Sequence, residues 1–179
     1  ILETGIAGTF IKALCDAIRK LCVARLHIIG DIFDRGAHPD LIMDELMDFP
    51  EVDITWGNHD LHWLGAAMGN PALIASVVRQ GISYNTFDLL EDGYGVNLRP
   101  LSAFAETAYR DDPCLAFHPK DEFNVNLFDT VEAELGAKMQ KAMAVIQFKL
   151  EGQLLRRRPE YGMADRDLLS RVDFTRGTV

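Results

Sequence analysis

The sequence is short of several things. No apolar run approaches the roughly 20 residues needed to span a bilayer, and no basic-then-apolar leader precedes the first helical pattern, so no membrane partner is expected. Basic residues are in deficit, with 18 Lys and Arg against 27 Asp and Glu and a net charge of −9, which argues against a general nucleic-acid binder. The one basic cluster, Arg156-Arg157-Arg158 beside Pro159, reads as a solvated helix end. Cysteine is scarce. Cys15, Cys22 and Cys114 are an odd count without metal-type spacing, and Cys15 and Cys22 read as small core residues one heptad apart on a helix, which suits a reducing cytoplasm. There is no internal repeat and no low-complexity tract. The chain opens at Ile1 and stops after "RVDFTRGTV", and we expect it to be a segment of a longer protein.

What is there is an ordinary globular composition, 48% apolar and 25% charged over 179 residues. Apolar residues Ile6, Phe10, Ile11, Leu14, Ile18 and Leu21 recur at helical spacing between Thr4 and Val23. "RLHIIG" reads as a buried strand, His38-Pro39 opens a helix, and "VDITW" is a second strand ending at Gly57. Strand, helix, strand predicts parallel strands joined by a right-handed crossover, with both carboxyl ends on one sheet edge, where open α/β sheets bind ligands. The remainder reads as helices over 71–80, 87–91 and 98–110, then a long one over 129–156 capped by Asp129 or Thr130. The expected fold class is therefore α/β, a core segment over 1–70 followed by a helix-rich region over 71–179.

The charged residues gather behind the two strands. After Gly30 come Asp31, Asp34 and Arg35, and after Gly57 come Asn58, His59 and Asp60. Each type suits metal-assisted phosphoryl transfer. Asp31 can bridge two cations, and Asn58 offers a neutral oxygen to a hard divalent ion. Two metals about 3.5–4 Å apart clamp phosphoryl oxygens and activate a water. His59 is a candidate general acid, Asp34 a carboxylate to fix its tautomer, and Arg35 a planar fork for phosphate.

G-D-x-x-D-R-G followed by G-N-H-D resembles the calcineurin-like metallophosphoesterases. "LHIIGDIFDRG", "WGNHD" and "YNTFDLLEDGYGVNLRPL" resemble more closely one branch, the class III fructose-1,6-bisphosphatases of bacteria, over at least Leu26 to Pro100. The resemblance implies a partial metallophosphoesterase core, with Asp31 as metal bridge and Asn58 as ligand of the second metal. It makes His59 the proton donor, Asp34 its partner and Arg35 the phosphate-binding arginine. The implied reaction is the gluconeogenic hydrolysis of fructose 1,6-bisphosphate to fructose 6-phosphate and phosphate. The implied cofactor is a divalent pair, manganese or magnesium, in the cytoplasm. The family's earlier D-x-H triplet is absent, and His62 and His118 do not sit in its G-H-x-H context. The segment is thus expected to carry half of a dinuclear site, to be inactive alone, and to expose apolar surface through which it self-associates. The rival readings are a phosphatase with the same motifs acting on phosphoproteins or dinucleotides, and a non-catalytic interaction module.

Other residues read more plainly. Asp60 is expected to cap the following helix, with a direct metal role as second choice, and His62 to lie behind the site or on the surface. His27 is expected to face the core and His38 to cap its helix, while nothing supports a role for His118. Tyr94 in "EDGYG" is read as part of a tight bend. Tyr84 and Asn85 are placed near the sugar by resemblance alone.

Overall fold

The computed structural model describes residues 5–120, 133–173 and 175–176. The fold is mixed α/β, mostly helical, around a small two-stranded parallel sheet. The first helix, α1 (Ala7–Cys22), forms where the periodicity predicts it and ends where Val23 turns extended. Its apolar face is not in a core. Phe10, Leu14 and Ile18 are exposed, Leu21 is 85% exposed, and Cys15 and Cys22 are exposed rather than the core residues expected. Periodicity reports that a face is apolar, not what lies on it. Polar contacts tie α1 to the rest, Arg19 donating to Glu45 (2.8 Å) and standing 5.8 Å from the Phe49 ring.

Strand β1 (Leu26–Ile28) pairs in parallel with β2 (Val52–Ile54), in the register Leu26↔Val52, His27↔Asp53, Ile28↔Ile54. Helix α2 (Pro39–Met47) connects them, with Pro39 buried at its first turn. His38 holds the N-cap position but makes no side-chain cap hydrogen bond. The expectation of buried strands needs correction. Leu26 and Ile28 are half-buried, His27 is exposed beside Asp53 (2.5 Å), and Ile29 is 86% exposed. Alternation sends successive side chains to opposite faces, so His27 points away from the covered side.

Beyond the sheet come α3 (Asn58–Ala67), α4 (Pro71–Ser83), α5 (Arg99–Ala108) and α6 (Ala133–Arg157). Asn70 caps α4, its Oδ1 accepting from Ala72 N (3.0 Å) and Leu73 N (3.3 Å), and Pro71 fills the first helical position. Helix α4 runs one turn past the expected Gln80. The stretch expected as a helix over 87–91 widens instead into a π-turn, Leu89–Gly93. The predicted caps of α6, Asp129 and Thr130, lie outside the described residues.

The core lies among these helices. Ala75, Val78 and Ile82 of α4 meet Ala105 of α5 and Met139, Ala142 and Met143 of α6, with Phe87 and Leu90 closing one end. Helix α3 packs on α4 and so connects the sheet to this core. At the end of α6 the basic run is a solvated helix end, as expected: Arg156 pairs with Asp167 (3.1 Å) and Arg158 with Glu160 (2.5 Å). No helix among the described residues is long and apolar enough to cross a membrane.

Candidate active site

Two glycines let the strand ends interlock. Gly30 has φ +93, and a Cβ there would stand 2.5 Å from Thr55 O and 2.6 Å from Gly57 N. A Cβ on Gly57 would collide with the Asp31 carboxylate and stand 2.6 Å from Asp31 N. No larger residue fits either place without moving the other loop. Between them the backbone is strained, Asp31 at φ 51 and Arg35 at φ 57, a region that non-glycine residues seldom occupy.

Asp60 holds this geometry. Its carboxylate accepts from Asp31 N (2.6 Å), Gly57 N (2.9 Å) and Phe33 N (3.2 Å). It therefore caps α3, as expected, and also clamps the loop after β1. With both oxygens on backbone N–H groups, Asp60 serves the loops and is a poor candidate for a cation.

The strained loop delivers its charges to the start of α3. Asp31 Oδ1 accepts from His59 N (3.2 Å), which sets the carboxylate at a helix N-terminus, where free N–H groups favour negative charge. Asn58, the first residue of α3, is exposed next to it. The His59 ring is largely buried between two partners, with Nε2 3.1 Å from Asp34 Oδ1 and Nδ1 3.1 Å from Gln80 Oε1. Arg35 Nε approaches the same Asp34 oxygen at 3.2 Å, and its guanidinium lies 4.9 Å from the Tyr84 ring. These distances are those of ion pairs, yet Asp34 Oδ1 is buried without an aligned hydrogen bond. It lies between the imidazole and the guanidinium without fixing either N–H direction.

The structure thus brings Asp31, Asp34, Arg35, Asn58 and His59 to one sheet edge. It leaves His27 and His38 outside, each beside its own aspartate (Asp53 and Asp40), and His118 near Glu134 of α6. Asp31 and Asn58 supply two oxygen donors, the chemistry a hard divalent ion prefers, but magnesium and manganese sites take about six ligands. Among the described residues no group of three or more His, Cys, Asp or Glu is placed to hold a metal. The donor set fits part of such a centre.

Sequence reasoning missed three features. Gln80 contacts His59, and a lone glutamine in a helix carries no signal of its own. Asp60 binds two loops at once, where only its cap position was visible. An aromatic floor of Phe33 stacked on Trp63 (4.7 Å), with Tyr94 at 4.9 Å, supports the loop after β1 and turns the "EDGYG" bend into packing surface. Burial, then Asp40 and Asp44, push the Tyr94 phenol above its usual range, so it stays protonated. Behind His59, His62 is half-buried, and burial, then His59 and Arg79, lower it from the ordinary 6.5. The unfolded chain therefore binds this proton more readily than the folded one. The stability His62 contributes is complete above pH 6.5 and is lost as pH falls through its lowered folded value. We expect urea midpoints to drop over that window, and to drop less in His62→Gln.

The whole chain, residues 1–179, matches the family model described as Firmicute fructose-1,6-bisphosphatase. The chain belongs to this family. It is 51% identical over 179 residues to the class 3 fructose-1,6-bisphosphatase of Parabacteroides distasonis. It is 50% identical to that of Clostridioides difficile and 48% to that of Listeria monocytogenes, in each case over the whole chain. The chain spans 27% of the length of each of these bisphosphatases. No solved structure matches it.

Proposed function

We propose that the full-length protein is a metal-dependent phosphomonoesterase of the calcineurin-like type. In this reading it converts fructose 1,6-bisphosphate to fructose 6-phosphate and phosphate in the cytoplasm, and residues 1–70 carry the proton-donating and phosphate-binding half of its site. Residues 71–179 form the helical support and bring Gln80, Tyr84 and Lys120 to the site. The observation that carries this reading is Asp34 Oδ1 held between His59 Nε2 and Arg35 Nε, beside Asp31 at the start of α3. Family membership and relatives named as fructose-1,6-bisphosphatases support the substrate.

Asp31 and Asn58 would hold part of a divalent centre, manganese or magnesium, completed by donors elsewhere in the full-length protein. When bound, that centre neutralises phosphoryl charge and activates the attacking water. The remaining work falls to this chain. Arg35 presents its fork to the phosphate oxygens and orients them. Nδ1 of His59 is turned toward Gln80 of α4, so Nε2 is the ring nitrogen that faces the Asp34–Arg35 cluster. No aligned bond to Asp34 restrains it, and Nε2–H can give its proton to the departing sugar oxygen. Asp34 then stabilises the charge state that the ring regains. Lys120 stands 5.4 Å from the same Tyr84 ring that carries Arg35, and we assign it the non-reacting phosphate.

The test is a substrate panel for the full-length protein with manganese. Fructose 1,6-bisphosphate is expected to exceed phosphopeptides and dinucleotides in kcat/KM by at least about a hundredfold, the size of one well-used charged contact. A preference for either alternative overturns the substrate, and no turnover of any of them favours a non-catalytic module.

A further inference from the structure

Behind His59 runs a chain of hydrogen bonds that the reaction above does not use. Gln80, in the last turns of α4, lies between two imidazoles. Its Oε1 is 3.1 Å from His59 Nδ1 and its Nε2 is 2.9 Å from His62 Nδ1. The second amide proton reaches Ser76 Oγ (3.2 Å), one turn earlier on α4, and that hydroxyl is itself 3.3 Å from His62 Nδ1. The two rings are 6.5 Å apart, too far for direct contact.

An amide accepts only at oxygen and donates only at nitrogen. Placed between two imidazoles, it makes the nitrogens that face it unlike. His62 Nδ1, approached by an amide N–H and a hydroxyl, must be bare. His59 Nδ1, approached by a carbonyl oxygen, must carry hydrogen. The surroundings favour this polarity, since burial and the neighbouring His59 and Arg79 hold His62 neutral. Ser76, buried on α4, fixes the amide from the other side.

We propose that Gln80 is a positioning residue for the phosphatase reaction: by accepting the His59 Nδ1 proton it sets the ring's orientation and commits Nε2 to the leaving-group oxygen. This rests on the reading of His59 as proton donor. Ring nitrogens with an oriented hydrogen-bond partner behind them keep one tautomer, and loss of such partners elsewhere costs about 10–100-fold in activity.

The experiment uses the full-length protein with 15N-labelled histidine, as wild type, Gln80→Leu and Gln80→Glu. Long-range 15N–1H correlation is expected to show His59 Nδ1 protonated in the wild type and averaged between tautomers in Gln80→Leu. Gln80→Leu should lower kcat about 10–100-fold with KM nearly unchanged. Gln80→Glu keeps an acceptor facing Nδ1, so it should retain the Nδ1–H signal and recover most of kcat, while drawing a proton onto His62. An unchanged Nδ1 signal in Gln80→Leu, equal kcat losses in both variants, or an effect confined to KM would each overturn the proposal. The NMR signal needs no substrate. A protein inert toward fructose 1,6-bisphosphate but with the expected tautomers would sink the substrate assignment and leave the Gln80 hydrogen bond standing.

Discussion

Asp31→Asn in the full-length protein is expected to lower phosphate release from fructose 1,6-bisphosphate by on the order of 10³-fold or more, with the fold intact. The substitution is chosen for the backbone. Asp31 sits at φ 51, which asparagine tolerates as well as aspartate, so the change removes charge without adding strain. The amide oxygen can still accept from His59 N, keeping the contact that seats the side chain on α3. What goes is the negative charge at the carboxylate proposed to hold the metal, and such charge stabilisation is worth several kcal/mol, each 1.36 kcal/mol being tenfold in rate. Steady-state kinetics with manganese, together with metal content after dialysis, check it. Activity within tenfold of wild type would remove Asp31 from the centre.

His59→Asn is expected to cost about 10²–10⁴-fold in kcat, the usual range for loss of a general acid. Asparagine places its amide nitrogen near the position of Nδ1, so the hydrogen bond to Gln80 Oε1 persists while Nε2 is deleted. Arg35 keeps Asp34 as partner, so substrate binding should survive. The kinetic signature is a fall in kcat with KM little changed, because the lost interaction acts in the transition state. A rise in KM at constant kcat would make His59 a binding group only.

The candidate site's juxtaposition was legible in the sequence because its parts are contiguous. "GDIFDRG" and "GNHD" each follow a short apolar strand, and a parallel pair joined by one helix can only bring them to the same edge. Asp31, Asp34, Arg35, Asn58 and His59 therefore meet where the spacing placed them. The rest depended on what packs against what. The stripe on α1 is apolar, but no pattern within it says that Cys15, Cys22 and Leu21 stay exposed. His27 sits in an apolar strand, and which face of a two-stranded sheet is covered is decided by helices far along the chain. Gln80 meets His59 because α3 packs on α4 where it does. The expectation of exposed apolar surface was sounder, for among the described residues the two-stranded sheet has no further strand to cover either edge. Ile29 and Trp56, at the ends of β1 and β2, are 86% and 68% exposed.

The central claim is that His59 protonates the leaving oxygen at the end of β2. It is tested most directly by comparing the His59→Asn defect on fructose 1,6-bisphosphate with its defect on an aryl phosphate whose leaving group needs no proton. The account predicts that the aryl ester recovers at least about tenfold of the lost rate, since protonation no longer limits departure. Equal defects on the two substrates would contradict it and leave His59 as a structural member of the Asp34–Arg35 cluster.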